Sequence, residues 1–187
     1  MEEKTMMTME EVLEHKYDST TDAPAIYVGT YAKYNNGNLR GLWLDLTSFC
    51  DYEEFMDCCR ALHSDEDDSE FMFQDYENFP ECWYSESGID EETFDKIKEY
   101  GELDEYDRDM WEAYIDHFGD YADFSTIQDK CHGKWDSEED FAQNQFDELE
   151  AYQIPEHLRY YFDIEKYAKD LFDYDYTMSN GYVFWNY

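Results

Sequence analysis

Basic residues are scarce in this chain, which has 13 Lys and Arg against 49 Asp and Glu and a formal net charge of −36. Proteins that bind nucleic acid directly neutralise its phosphates with clusters of Lys and Arg. Because the sequence has no such cluster, we do not expect it to bind nucleic acid directly.

Long apolar segments are also missing. The chain has no run of about 18 apolar residues, so no transmembrane helix and no membrane association are predicted. Its beginning, MEEKTMMTMEEVLEHKYDSTTDAP, is acidic and has no continuous apolar stretch, unlike a secretory signal. The five cysteines are an odd number without the spacing of a disulfide framework, which favours reduced thiols. Together these features predict a cytoplasmic protein.

Motifs of common enzyme classes are absent: the sequence has no G-x-S-x-G, no P-loop and no dinucleotide fingerprint. The segment Asp65–Glu70 resembles the start of a calcium-binding loop. However, Glu70 stands where the sharp turn needs Gly, and Tyr76 stands where the bidentate Glu belongs. The segment therefore does not predict a calcium site.

Cys58, Cys59 and His63 are candidate zinc ligands, although buried thiols beside a histidine at a helix end are more common than such a site. Among so many carboxylates, pairs suited to acid–base catalysis arise by chance and carry little weight. We therefore predict a protein that is not an enzyme and has no cofactor or metal. The alternative is an acidic metal-dependent enzyme.

The acidic residues are concentrated between Ala61 and Asp129. This segment has 24 acidic and three basic residues, so it carries −21 of the total charge. Fourteen aromatic residues run through it, whereas disordered acidic segments lack aromatic residues because they bury no core. The segment is therefore predicted to fold, with the rings inside and the carboxylates at fixed positions outside.

The net charge is comparable to that of a piece of DNA. A small domain tolerates a charge of magnitude about 2–8. Duplex DNA carries one charge per ~1.7 Å, so 36 charges correspond to ~61 Å, or ~18 base pairs. Adaptation to high salt is a further alternative. It would spread the charge evenly, yet residues 24–60 have five acids and three bases.

The pattern of apolar residues predicts an α+β fold. We expect a poorly ordered arm at residues 1–24, followed by three small domains. These are an N-terminal α+β domain at 25–82, an acidic helical domain at 83–129 and a C-terminal α+β domain at 130–187.

In the first domain, strand-type residues on both sides of Asn35–Asn38 predict a β-hairpin over residues 25–46. Residues 51–62 have helical spacing, and residues 70–80 predict a third strand that ends at Pro80.

Further along the chain, Asp90 is predicted to cap a helix that ends at Gly101. Residues 107–118 predict a second helix, and residues 131–133 predict a break. Ser137 and Asp163 are predicted to cap two more helices, and Asn180-Gly181 predicts a hairpin turn.

The second helix carries Glu112 and Asp116 one turn apart on its exposed side, with no Lys between them. Like charges at this spacing destabilise a helix slightly, which favours a functional reason for them. We call the predicted set of exposed acids the acidic surface. Its members are Glu66, Asp67, Asp68, Glu70, Asp104, Glu105, Asp107, Asp109, Glu112, Asp116, Asp120 and Asp123.

Four sequence blocks resemble the ArdA antirestriction proteins, which are DNA mimics carried by plasmids and conjugative transposons. The blocks are IYVGTYAKYNNGNLRGLWLDL (26–46), FMFQDYENFP (71–80), HGKWDSEEDFA (132–142) and YFDIEKYAKDL (161–171). Their order and spacing cover nearly all of the chain after residue 25. The residues before them look like an extension beyond the usual start of the family.

The resemblance implies an elongated three-domain homodimer joined through its C-terminal domains, with an acidic surface that follows the phosphates of bent B-form DNA. The implied target is the DNA-binding groove of a type I restriction–modification enzyme, in its specificity and methyltransferase core, which is blocked without catalysis. The antirestriction motif proposed for the family falls near residues 137–150. Phe141 and Phe146 are carried over from it as candidates for the dimer interface.

Overall fold

The N-terminal half of the chain is organised around a three-stranded antiparallel sheet. In the computed structural model, which describes residues 6–187, the central strand β1 (Ala25–Thr30) lies between β2 (Leu42–Asp45) and β3 (Phe71–Glu77). Because β1 has a strand on each side, nearly all of its residues are buried. The predicted strands in residues 25–46 and 70–80 are confirmed.

Helix α3 (Tyr52–Leu62) packs against this sheet, as the helical spacing predicts. Asp51 caps it, because its side chain accepts a hydrogen bond of 2.8 Å from Glu54 N. The fully buried Phe55 stacks on Phe73 of β3, with 6.0 Å between the ring centroids. Aromatic packing therefore joins the helix to the sheet.

Helix α4 (Glu91–Glu102) completes the core of this half. Its predicted cap is confirmed, since Asp90 accepts a hydrogen bond of 2.9 Å from Thr93 N. The helix runs through Gly101 instead of ending there. A Cβ atom at Gly101 would lie 2.5 Å from a Thr47 side-chain atom, so glycine is needed here for close packing and not for a turn.

The connection between β1 and β2 differs from the predicted tight turn. A short helix, α2 (Tyr31–Asn35), follows β1 directly. The hydroxyl of Thr30 caps α2 by accepting a hydrogen bond of 3.2 Å from Lys33 N. The two strands pair as predicted, but the turn-forming residues at 36–38 end a capped helix and do not form the whole connection.

The beginning of the chain is folded from Thr8 onward, which differs from the predicted poorly ordered arm. Helix α1 (Met9–Glu14) opens with a capping box and buries Val12 completely. The chain then runs beside β2, where Tyr17 N donates a hydrogen bond of 3.0 Å to Trp43 O. These contacts cover an edge of the sheet that would otherwise be unpaired. The part of this prediction at residues 1–5 lies outside the described residues.

The C-terminal half contains a second three-stranded antiparallel sheet, in the order β4-β6-β5. Its strands are β4 (Cys131–Lys134), β5 (Tyr176–Ser179) and β6 (Tyr182–Trp185). The predicted hairpin turn at Asn180-Gly181 is confirmed, and both residues have positive φ. Strand β4 replaces the predicted break, and Gly133, with a φ of 90°, lies where its pairing with β6 is irregular.

The rest of this half is mainly helical. The helices are α5 (Glu105–Phe118), α6 (Phe124–Lys130), α7 (Glu138–Gln145), α8 (Glu156–Arg159) and α9 (Ile164–Tyr174). A π-helical turn over Phe146–Glu150 continues α7. The predicted caps Ser137 and Asp163 are confirmed, because each side chain accepts a hydrogen bond from the backbone N–H three residues later. Over residues 6–187, no helix combines the length and the apolar character that crossing a membrane requires.

Helix α5 packs its apolar side against the second sheet. Phe184 of β6 is fully buried, and its ring lies 5.4 Å from that of Tyr114. Trp111, also fully buried, stacks on Phe124 of α6 at 5.2 Å. This packing fixes the rotation of α5 about its own axis, and thereby decides which of its residues face solvent.

The chain separates into two compact units, Met1–Asp104 and Glu105–Tyr187. The α+β class is confirmed, since each unit combines helices with a small antiparallel sheet. The boundary falls inside the range 83–129. The division into three domains at 25–82, 83–129 and 130–187 stays a prediction.

Candidate acidic interaction surface

Helix α5 presents carboxylates on the side away from its core. Four residues form the core side: Met110, Trp111, Ala113 and Tyr114. Asp109, Glu112 and Asp116 are exposed, and their spacing of three and four residues aligns them along one face. At ~1.5 Å per residue they span ~10 Å. A packed helix therefore holds these charges in a row.

Two carboxylates of this row are held by neighbours in the same unit. Asp116 accepts a hydrogen bond of 2.8 Å from the Asn180 side chain. The Lys134 ammonium lies 3.7 Å from an Asp109 oxygen and 4.9 Å from the centre of the Tyr182 ring. Burial, with Asp109 nearby, raises the pKa of Tyr182 to about 12. Asp109 thus has a counter-ion in its own chain, and it contributes less negative charge to the acidic surface than a carboxylate without one.

The remaining acids of this region lie at helix ends. Asp104, Glu105 and Asp123 are exposed, whereas Asp107 and Asp120 are half-buried. Asp123 caps α6 by accepting a hydrogen bond of 2.8 Å from Thr126 N. Hydrogen bonds from Thr126 and then Ser125 lower the pKa of Asp123, so this residue stays charged and fixed in position.

Four acids of the predicted surface lie on the loop between α3 and β3. We call residues 64–70 the acidic loop. Asp67, Asp68 and Glu70 are exposed on it, but the side chain of Glu66 is only 18% exposed. The structure thus places four of the predicted acids on the acidic loop and the other eight between residues 104 and 123, and turns Glu66 partly inward.

Glu66 belongs to a buried polar cluster around Lys33, which we call the Lys33 cluster. The Lys33 ammonium lies 3.0 Å from a Glu66 oxygen, 2.7 Å from an Asp65 oxygen and 2.9 Å from His63 Nδ1. Thr30 Oγ1 donates a hydrogen bond of 2.8 Å to the same Glu66 oxygen. The sequence prediction missed the cluster, because only the fold brings Lys33 close to residues 63–66.

Stability is expected to fall below about pH 6.5 because of His63, which is fully buried. Burial, and then the neighbouring Lys33 ammonium, lower the pKa of His63, while Glu66 and Asp65 oppose this shift. Between the lowered value and the usual value of about 6.5, the unfolded chain binds more protons. The free energy of unfolding therefore rises with pH in this window and decreases as the pH falls.

This pH dependence can be measured by urea unfolding at pH 7.5 and pH 5.5. His63→Gln should reduce the difference between the two free energies of unfolding. His117→Gln, a control at an exposed histidine, should leave it unchanged. An equal pH dependence in wild type and H63Q would contradict the assignment to His63.

Phe141 and Phe146 lie in the core of the chain and not on its surface. Their side chains are 0% and 3% exposed. Phe141 contacts the rings of Trp135 at 5.5 Å and Tyr176 at 4.9 Å, and Phe146 stacks on Phe162 at 4.2 Å. As candidates for a dimer interface, they would act only indirectly, by supporting the surface above them.

The candidate zinc ligands Cys58, Cys59 and His63 do not come together as a site. Nδ1 of His63 faces the Lys33 ammonium, and Nε2 faces Val28 O at 3.3 Å, so both ring nitrogens are occupied. Burial raises the pKa of Cys58 to about 12. A thiol that stays protonated is a poor metal ligand and a poor nucleophile.

One group with metal-ligand chemistry occurs among residues 6–187, formed by His63, Asp65 and Glu66. Their ligand atoms lie within 4.8 Å of one another. The Lys33 ammonium lies within 3.0 Å of all three. A positive charge of the chain itself therefore already occupies the position that a metal ion would take.

Comparison with the curated proteins gives no match. Comparison with protein families gives a match to the antirestriction protein (ArdA) family over residues 26–184. This range includes the acidic loop, α5 and all but one residue at the outer end of each sheet, Ala25 and Trp185. Since the match covers most of the 187 residues, the chain belongs to the ArdA family of antirestriction proteins.

Proposed function

We propose that this protein is a non-enzymatic inhibitor whose acidic surface mimics bent B-form DNA. The carboxylate row of α5 carries the proposal, because Asp109, Glu112 and Asp116 project from a helix whose other side is packed. Proteins contact the phosphates of DNA largely without reading the bases. Oxygens at suitable spacing on a rigid support can occupy the same binding site.

The target in this proposal is the DNA-binding groove of a type I restriction–modification enzyme, in its specificity and methyltransferase core. Membership of an antirestriction family supports such a target. A groove that binds DNA is lined with Lys and Arg, which the acidic surface complements. Binding would release counterions from both surfaces, as DNA binding does, and would block the groove without any chemical step.

We further propose that the active form is a homodimer in the bacterial cytoplasm. In the C-terminal unit, Tyr152, Tyr160 and Tyr161 are 77%, 91% and 78% exposed. The rings of Tyr160 and Tyr161 lie 5.5 Å apart, and contiguous exposed apolar surface is typical of interaction sites, which supports pairing with a second copy through this unit. The free thiols of the chain agree with a reducing compartment.

The protein is expected to displace a labelled DNA duplex from a purified type I methyltransferase, as measured by fluorescence anisotropy. Its apparent affinity should fall on the order of 10³-fold between 50 and 200 mM salt, because several ionic contacts are lost together. Polyglutamate of the same net charge is the control for charge without fixed positions. Failure to displace DNA, or equal displacement by polyglutamate, would overturn the proposal.

A further inference from the structure

The Lys33 ammonium has a complete set of hydrogen-bond acceptors. An ammonium group carries three N–H donors, and three acceptors surround it: His63 Nδ1 at 2.9 Å, Asp65 Oδ1 at 2.7 Å and Glu66 Oε1 at 3.0 Å. The Lys33 side chain is only 8% exposed. Its burial is thus compensated by one partner for each donor.

The protonation state of His63 follows from these contacts. Because an ammonium has no acceptor, Nδ1 of His63 must carry a lone pair and accept from Lys33. Nε2 then carries the hydrogen and faces Val28 O at 3.3 Å. The cluster therefore consists of one cation, one neutral imidazole and two carboxylates.

We infer that Lys33 is an internal counter-ion that takes the role of a metal ion and holds the acidic loop in position. Two carboxylates at the start of the loop, Asp65 and Glu66, bind directly to its ammonium. Short α2 presents Lys33, and the Thr30 hydroxyl joins the cap of that helix to Glu66. Helix α2, which the sequence pattern does not predict, thus positions this cation beside the acidic loop.

The acidic loop needs such a cation because of its charge. Five acids lie within six residues, at 65–68 and 70, and like charges this close repel one another. Further bonds shape the loop: Glu66 N donates to His63 O at 3.0 Å, and the Ser69 hydroxyl donates to the same oxygen at 3.2 Å. With Asp65 and Glu66 held, Asp67, Asp68 and Glu70 point outward at fixed positions.

Lys33→Met tests this role because it keeps most of the aliphatic chain and removes only the cation. Hydrogen exchange of the Glu66 amide, which donates to His63 O at 3.0 Å, is expected to accelerate at least ~10-fold, by loss of local stability. Lys16→Met is the matched control at an exposed lysine of the same unit, and it should leave this exchange unchanged. Unchanged exchange in K33M would overturn the inference.

Chemical rescue separates a specific cation site from general screening. In Lys33→Ala, propylammonium chloride should restore slow exchange of the Glu66 amide, since it supplies an ammonium with N–H donors. Tetramethylammonium chloride at the same ionic strength has no N–H donor and should not restore it. Equal restoration by both salts would show that Lys33 only screens charge, and restoration by neither would exclude a site for a cation.

A further test uses the wild-type protein, so its result does not depend on whether the Lys33 variants fold. With ¹⁵N-labelled lysine, one ammonium signal should be protected from solvent exchange and absent from the spectrum of folded Lys33→Arg. If no lysine signal is protected in wild type, the cluster does not hold Lys33 as described.

The consequence for binding rests on the proposed function, since the loop belongs to the acidic surface. K33M should displace DNA from the methyltransferase ~3- to 10-fold less well than wild type, while K16M should match wild type. If wild type displaces no DNA, the proposed function fails, but the exchange and rescue results still decide the role of Lys33. If K33M loosens the loop and displaces DNA as well as wild type, the loop lies outside the contact with the target.

Discussion

Replacing Glu112, Asp116, Asp120 and Asp123 together by their amides is expected to weaken target binding by on the order of 10- to 100-fold. An exposed ion pair contributes ~0.2–1 kcal/mol, and four of them act together here. The slope of log affinity against log salt should flatten by about one for each charge removed. Both quantities follow from the DNA-displacement assay at several salt concentrations.

Amides are chosen because they remove charge with little change in side-chain size, and at positions 116 and 123 they can keep the hydrogen bonds of the folded chain. Asn caps a helix as well as Asp does, so Asp123→Asn should keep the hydrogen bond to Thr126 N that starts α6. Asn at position 116 retains an oxygen that can accept the hydrogen bond from Asn180. A loss of binding in this variant therefore reports on charge and not on unfolding.

The control is a second fourfold variant with the same change in net charge, made on exposed acids of the N-terminal unit. Its substitutions are Glu10→Gln, Glu14→Gln, Asp22→Asn and Glu53→Gln. Binding should stay within ~3-fold of wild type. If the two fourfold variants lose affinity equally, the total charge matters and these four acids are not part of the mimic.

Replacing Phe141 by Ala is expected to lower the free energy of unfolding of the C-terminal unit by about 3–5 kcal/mol. The ring is fully buried and forms edge contacts with Trp135, Phe172 and Tyr176, at 5.5, 5.7 and 4.9 Å. Removing it leaves a cavity among aromatic side chains that are held by both a helix and a sheet. Urea unfolding followed by tryptophan fluorescence measures the loss.

The paired variant Tyr160→Ser/Tyr161→Ser separates core packing from dimer contacts. Both side chains are largely exposed, at 91% and 78%, so stability should change by less than ~0.5 kcal/mol per site. Sedimentation velocity should instead show weaker self-association. A Phe141→Ala variant that dissociates without losing stability would restore Phe141 as an interface residue.

Local sequence signals were reliable where neighbouring residues supply the whole interaction. Asp90, Ser137 and Asp163 cap helices as predicted, because a cap needs only a side-chain acceptor and a backbone N–H three residues later. The carboxylate row of α5 is equally local, since helical geometry places the acids opposite the apolar residues. The turn at Asn180-Gly181 follows from two residues that accept positive φ.

Local sequence patterns gave wrong predictions where a segment distant in the sequence supplies the contact that decides the structure. The turn-forming residues 35–38 are typical of a tight hairpin, yet Thr30 caps a helix that begins before them. The Thr30 hydroxyl also donates a hydrogen bond to the carboxylate of Glu66, which is distant in the sequence. The glycine at 133 predicts a break, but strand β6 offers a pairing partner. The family resemblance makes Phe141 a candidate for the dimer interface, whereas the packing of α7 against α9 and β5 encloses its ring.

The amino-acid pattern alone is sufficient to establish the α+β class, the helix caps, the excess of negative charge and the family. The tertiary structure alone decides which carboxylates face solvent, which have a counter-ion in the chain, and that Lys33 is buried among His63, Asp65 and Glu66. The reason is the separation of the interacting residues along the sequence, since a helical turn or a cap joins residues only three or four positions apart. The ion pairs of Lys33 join segments some 30 residues apart, which no local pattern links.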